Sequence, residues 1–587
     1  HFNNLLDSKN KEFEMNAKFN NLSSTHSDLK GILPRLIGEK LPSSLNSLGV
    51  FSAIGNLEIN DEKISLNFDI DTVLGQIKAD MILDDIGVID LASYNGQIEL
   101  INFEIGELIE NSKVGIVKTK LNIEGKGFKI ENISSKIEGN FDVLEFNKYN
   151  YKNISVLGII KNRVFSGQLN TNDLNLKLDF DGLIDFSGIN NTYDFSAKIT
   201  QADLSALNLT TKDKKSILSG NIKMDMQGNK LDDLYGQIKF KDAQYFNDND
   251  NYFFDDFLIT SKFGSDGIRT IEFDSPEIIK GTFKGLFKLK EIPLLLENSL
   301  VNIYSKRTLK KITEGQNMNF NFKVYNKIIE VFYPELEFGS NTFFKGVLNS
   351  DPNKFILTFK SPVIESELFF AKKIQIRFDN DNPIFNSFIE MDSLSTPYLK
   401  ANDFSLINFR FNDTLYLKSN FKYGKTKSDE FDLNLFYTNK SDNYILGLQP
   451  SKVKFKDVPW ELNSDSNSVS TLIFNPDNKV FSLDPVNISY GSEKIILNAN
   501  AKDSTSTTVD IEFKNVDLAK VTPEIDSLRL GGVVNGKLEV SKFVNTYLPK
   551  SSIDINDFNV NGFNLGAFKA DIVGNSSLTN YDVDVKI

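Results

Sequence analysis

Histidine and cysteine, which most often carry acid–base, nucleophilic and metal chemistry near neutral pH, are almost missing from this chain of 587 residues. There is no cysteine, and the only histidines are His1 and His26. Thiol nucleophiles, disulfides and zinc ribbons are thereby removed. Neither histidine sits in a metal-ligand spacing, so histidine triads and histidine acid–base catalysis are removed with them. Carboxylates are plentiful, 79 in all, and composition alone leaves a glycosidase pair open. They fall, however, mainly on the polar side of alternating strands, where a solvated face accounts for them. The nearest approach to a calcium loop, "DNDNYFFDDF" from Asp248, lacks the glycine at its sixth place and the glutamate at its twelfth. "DNDNP" from Asp379 reads as a turn before Pro383. "EGKGFKIE" near Gly125 lacks the third glycine of a phosphate cradle, and "GGVVNG" near Gly531 has no Lys-Ser/Thr after it. The expectation is a chain with no catalytic residue, no metal and no cofactor. Its single tryptophan, Trp460, is expected in a core or at its rim rather than on a binding platform.

Composition points to hydrocarbon instead. The 49 phenylalanines far outnumber the 18 tyrosines, whereas carbohydrate surfaces favour Tyr and Trp with their polar edges. A net charge of -13 and a pI near 5.0 give no bulk attraction to nucleic acid or to anionic headgroups.

The elements that carry these phenylalanines are strands. In "LNLKLDFDGLIDFSG", Leu174, Leu176, Leu178, Phe180, Ile184 and Phe186 alternate with polar residues, which places them on one face. The same period of two recurs in Ile64/Leu66/Phe68/Ile70, Ile222/Met224/Met226, Phe320/Phe322/Val324, Phe355/Leu357/Phe359, Phe431/Leu433/Leu435/Tyr437 and Ile495/Leu497/Ala499/Ala501. Turn signals such as "NDEK", "NPDNK" and "YGSEK" separate the runs, so sequential strands are expected to pair antiparallel. A glycine, a short polar residue and a large apolar residue also return together, in "GNLEI" at Gly55, "GQIKA" at Gly75, "GQIEL" at Gly96, "GNFDV" at Gly139, "GNIKM" at Gly220, "GQIKF" at Gly236 and "GKLEV" at Gly536. Their irregular spacing argues against a solenoid of fixed rungs and for one strand type reused in an elongated sheet, with glycine allowing a bend where the strand enters.

Helical spacing occurs twice. Leu29, Ile32, Leu33, Leu36, Ile37, Leu41, Leu45 and Leu48 follow it, divided by Pro34 and Pro42, and "IPLLLENSLVNIYSKRTLKK" near Pro293 is the other case. Both are expected to pack on sheet. These positions suggest four segments: a strand with short helices over 1–50, strands over 51–290, a helical interruption over 291–312, and strands over 313–587. No apolar run reaches the roughly 18 to 20 residues that span a bilayer. Opening at His1 and closing on the alternating "NYDVDVKI", the sequence reads as a piece of a longer chain, with any anchor elsewhere.

Three stretches resemble the TamB family of the AsmA-like superfamily, in its Bacteroidetes-type forms: "YNYKNISVLGIIKNRVFSGQLNTNDLNLKLDFDGLIDFSG" (149–188), "LKGILPRLIGEKLPSSLNSLGVFSAIGNLEI" (29–59) and "NMNFNFKVYNKIIEVFYPELEFGSNTFFKGVLNSDPNKFILTFKSP" (317–362). A strand ending in an acidic residue and then two apolar residues three apart, as in "AKITQADLSALNL" and "IEFKNVDLAKV", is similar to the same superfamily. The resemblance implies an all-β fold, an elongated, twisted, U-shaped β-sheet groove with a few short helices. It further implies a periplasmic location, an inner-membrane anchor outside this segment and a TamA-like outer-membrane partner of the Omp85 type. Members of this translocation and assembly module are associated with moving phospholipid between membranes and with outer-membrane biogenesis.

Alternation by itself fits a sandwich equally well. Its continuation without linkers or domain-sized repeats favours an open sheet. About 14 residues for a strand and its turn gives about 40 strands and, at about 4.8 Å each, a sheet roughly 150 to 200 Å long. At about 0.8 kcal/mol per methylene, a two-chain lipid crossing bare water meets a cost on the order of 20 kcal/mol, which an unbroken apolar lining would prevent. The expected function is therefore a non-enzymatic conduit for phospholipid acyl chains, lined by Ile64, Leu66, Phe68, Ile70, Leu174, Leu176, Leu178, Phe180, Phe186, Phe431, Leu433 and Leu435. The alternative is a scaffold whose strand edges receive nascent outer-membrane barrels, and a third reading is an adhesin built of sandwiches.

Overall fold

A computed structural model describes residues 2–586 apart from 4–13, 33–42, 61–62, 86–91, 128–131, 212, 305–308, 352, 382–386, 398, 425–426, 441–442, 465–467, 476–479, 504–505, 523–527, 544–545 and 575–580. His1, the divided helix between Leu33 and Pro42, and the turn proline Pro383 lie outside the described residues. Strand makes up 71% of the structure and helix 7%, which fixes the class as all-β with a few short helices. The described strands number 38.

The chain divides into two compact units, residues 1–280 and 281–587. Each is an antiparallel sheet curled into a groove, in which consecutive strands are hydrogen-bonded neighbours. Where one strand meets two partners along a single edge, as in the two cases here, those partners are the halves of a broken strand. Tyr235–Phe246 pairs with both Asn251–Phe254 and Phe257–Phe263, and Asp429–Lys440 pairs with both Asn443–Leu448 and Ser451–Phe455. Pro450 at the second break has no N–H for the ladder.

Of the recurrent glycines, Gly75 and Gly236 stand where their strands begin, as the entry-bend reading expects, whereas Gly55, Gly96, Gly139, Gly220 and Gly536 lie inside their strands. A β-carbon at Gly55, the fifth residue of Phe51–Asn60, would stand 2.0 Å from the Asn67 carbonyl and 2.7 Å from the Phe68 ring. Only a bare backbone lets the strand fold this far over its own apolar side. Phenylalanine rings also cover glycines on this face: Phe165 lies over Gly158 and Phe320 over Gly346. Many strands also carry a bulge near one end. Asn102, Asn153 and Asn515 adopt φ of 48°, 55° and 53°, and the residues that follow them, Phe103, Ile154 and Val516, are buried. Where a bulge or a glycine falls in a strand, it bends that strand.

The helices are small lids on this sheet. Thr25 and Asp28 form a capping box ahead of the helix His26–Ile32, the Asp28 N–H donating to Thr25 Oγ1 at 3.2 Å and the Thr25 N–H donating to Asp28 Oδ2 at 3.1 Å. The helix Ile292–Tyr304 falls inside the second unit and buries Leu295 and Ser299. No helix among the described residues is long and apolar enough to cross a membrane.

Candidate functional site

In the first unit the strand registers set apolar residues side by side across the whole groove. One row runs Phe19, Gly55, Phe68, Ala79, Ile98, Leu121 and Gly139, each paired with the next. It continues through Val156, Leu169, Phe180, Ala197, Ile222, Phe240 and Phe257. Fourteen strands are crossed without a polar side chain. A second row beside it passes through Leu66, Met81 and Gly96 to Gly158, Gly167, Gly182 and Phe195. Aromatic rings stack along these rows, Phe180 to Phe195 at 5.0 Å and Phe240 to Phe257 at 5.8 Å between centroids.

Ile64, Leu66, Phe68 and Ile70 all stand on this face and are half-buried, as are Leu176, Leu178 and Phe180. The packing that half-buries them is lateral, from neighbours in the sheet. Of the residues in the first row, only Val156 and Ala197 are fully buried. The opposite face is wet, and Asp69, Lys78, Glu99 and Lys120 face one another across four strands with alternating sign. The accessible surface of the chain, 34649 Å², tells the same story. Two separate globules of half its mass would together expose about 25,000 Å².

Two expected lining residues are placed differently. Leu174 is 82% exposed in the turn before the strand Leu176–Asp185, so it does not line the groove. The cause is its neighbour Asp173, only 2% exposed, whose carboxylate accepts from the Tyr149 hydroxyl at 2.5 Å and from the backbone N–H groups of Lys152 and Asn175. Burying that carboxylate among donors turns the chain, and Leu174 is directed outward. Burial and the bond to Asp173 push the Tyr149 hydroxyl up to about 12. Phe186 lies just past the strand on the rim, 49% exposed, its ring edge-on to Tyr193 at 6.3 Å.

The second unit carries the face less evenly. Phe322, Phe344, Phe359, Ile376, Ile389 and Leu406 form a row that reaches Leu433 through the buried Ser419. The row ending at Leu417 and Leu435 is interrupted by Ser387 and Asn408, whose side chains bond to each other at 2.5 Å. Phe431 stacks on Phe421 at 4.6 Å with the rings 5° apart. Farther along, the face is sealed: Trp460, 3% exposed, packs with Val516, Val534 and Ile555, and the short helix Leu518–Val521 lies against this cluster. Trp460 is thus a core residue.

Compared with protein-family models, curated proteins and solved structures, the chain matches nothing.

Among the described residues, no group of three or more His, Cys, Asp or Glu could hold a metal ion. The Asp248 stretch is a turn, in which Asn247 Oδ1 accepts from the N–H groups of Asn249 and Asp250, and Asp248 accepts from the Lys214 N–H at 2.8 Å. What the arrangement can do is hold hydrocarbon. Its floor in the first unit is methyl, methylene and phenyl, and in the second unit the polar Ser387 and Asn408 side chains on it bond to each other.

Proposed function

We propose that the chain is a hydrophobic groove that accommodates phospholipid acyl chains and lets them slide, without catalysis. The observation that carries this reading is the uninterrupted apolar row over fourteen strands of the first unit, of which all but Val156 and Ala197 keep part of their surface open to solvent. At about 4.8 Å per strand the row is about 60 Å long, about four times the depth of one bilayer leaflet's hydrocarbon. Hydrocarbon gains about 0.8 kcal/mol per methylene wherever it lies on such a face, and the gain changes little from strand to strand. A tail therefore meets no deep trap, and headgroups stay in water at the open side.

The resemblance of residues 149–188 and 29–59 to the TamB family supports the same reading. It extends the proposal to bridge-like lipid transfer in the periplasm of a Gram-negative bacterium, with an inner-membrane anchor and a TamA-like outer-membrane partner. The direct test is mass spectrometry of lipids extracted from the purified chain, with a photoreactive residue at Ile98 or Leu121 and, as control, at Lys120 on the wet face. Phospholipid crosslinked from the first two positions and not from the third is the expected result. A lipid-free protein that crosslinks none when offered phospholipid vesicles would overturn the proposal.

A further inference from the structure

The rule of one oily and one wet face fails in one region of the second unit. The strand Lys400–Phe411 carries Ile407, Phe409 and Phe411 on the side opposite Leu406, and Asp429–Lys440 carries Phe436 opposite Leu435. Registers join these residues across the back of the sheet: Phe409 faces Tyr416, Tyr416 faces Phe436, and Phe436 covers Gly447. Phe409 and Tyr416 are stacked at 5.1 Å with the rings 13° apart, yet Phe409 remains 43% exposed. Beside them the strand break at Gln449–Pro450 raises a wall. Between wall and rings lies a cleft of about 430 Å³, lined by Ile407, Phe409, Tyr416, Lys418, Asn434 and Pro450 among others.

Size selects the occupant. With Phe388 beside Ile407 at one end and Ile473 beside Ile445 at the other, this back face extends over six strands, about 24 Å, and about two same-side residues along each, which gives about 350 Å². A stable protein partner or second copy needs about 800 Å² per side, so the patch is too small for either. The cleft falls instead in the range of small-ligand sites, about 300 to 1,000 Å³. Such sites pair apolar walls with a few free polar groups. Among the described residues, neither the Tyr416 hydroxyl nor the Gln449 side-chain amide has a hydrogen-bond partner. The Lys418 ammonium at the same cleft is held only loosely, 3.6 Å from Asp432.

We propose that this back-face cleft binds one single-chain amphiphile, its alkyl chain across the Phe409, Tyr416 and Phe436 rings and its oxygen-bearing head at Gln449 and Lys418. The site is separate from the groove and does not depend on the conduit reading. A carboxylate or a phosphate head would satisfy it, so the test has two arms. The full chain is irradiated with diazirine-bearing palmitate in one and diazirine-bearing lysophosphatidylcholine in the other, and adducts are mapped by mass spectrometry. Adducts are expected on peptides containing Ile407 to Tyr416 and Gln449–Pro450 in at least one arm. Phe409→Asp should lower them about tenfold, as expected for about 1.4 kcal/mol of lost affinity, and leave adducts around Leu169 and Phe180 unchanged. Ile407→Gln, a milder change, should give the same fall if Phe409→Asp disturbs the strand content seen by circular dichroism. Adducts confined to groove peptides, or back-face adducts unaffected by both substitutions, would overturn the proposal. So would sedimentation showing that the patch mediates self-association and excludes both probes.

Discussion

Phe180→Asp is the substitution that separates a conduit from a folded sheet with an oily side. Phe180 stands mid-row between Leu169 and Ala197, its ring 5.0 Å from Phe195 and 6.4 Å from Phe165. A carboxylate there keeps its water, so a passing tail must lift from the floor over one strand spacing on each side. That is about 10 Å of a tail whose leaflet depth is about 15 Å. About ten methylenes lose a one-sided contact worth roughly half of 0.8 kcal/mol each, or about 3 to 4 kcal/mol in all. Passage should slow by about 10² to 10³-fold. The cost to folding is smaller, because the side chain is only half-buried, and about 1 to 2 kcal/mol is expected. The assay is transfer of labelled phospholipid between donor and acceptor vesicles, with circular dichroism and a thermal melt as fold controls and Gln168→Glu on the wet face as the comparison. A folded Phe180→Asp protein that transfers lipid at the parent rate would refute the reasoning.

Other outcomes follow from the same geometry. Gly139→Ala places a β-carbon 2.1 Å from the Lys120 carbonyl, and should cost about 1 to 3 kcal/mol, seen as a lower melting temperature of the first unit. Trp460→Ala should cost about 3 to 5 kcal/mol in denaturant unfolding and Trp460→Phe far less, because the residue fills a sealed core with Val516, Val534 and Ile555. Arg269→Met should destabilise the first unit and Arg269→Lys should not restore it, since the buried guanidinium donates to the carbonyls of Leu231, Asp232 and Leu234 in a fork that an ammonium cannot copy. Absorbance titration should show Tyr149 ionising near 12, above the ordinary 10. Its neutral form is favoured in the fold, so this stabilisation is complete below pH 10 and is lost as pH rises through 12; Tyr149→Phe should remove that high-pH loss.

The groove face was legible where alternation was strict. Ile64 to Ile70 and Leu176 to Phe180 stand where a period of two puts them, because a strand offers its side chains no third direction. Leu174 shows where that logic ends. The alternation runs on through Asp173, and no pattern of apolar residues signals that this carboxylate is buried and bonded to Tyr149. The glycines were visible as a motif, but their place on the apolar face depends on how closely the adjacent strand approaches, a distance that local sequence does not encode. The back-face cleft did leave a trace. Doublets such as Leu406–Ile407 and Leu435–Phe436 break the period of two, and each break marks a strand that is oily on both sides.

Because almost every strand bonds only to its sequence neighbours, contacts are short-range along the chain, and ordering can begin at many hairpins and spread outward. Melting should be correspondingly gradual, with fraying at strand pairs far from the Trp460 cluster while that cluster persists. A single midpoint would then describe no one event. Hydrogen exchange resolved by peptide would display a gradient of protection along the second unit, steepest beside the sealed core. Inserting or deleting a hairpin would alter reach by about 10 Å and leave the remaining registers as they were.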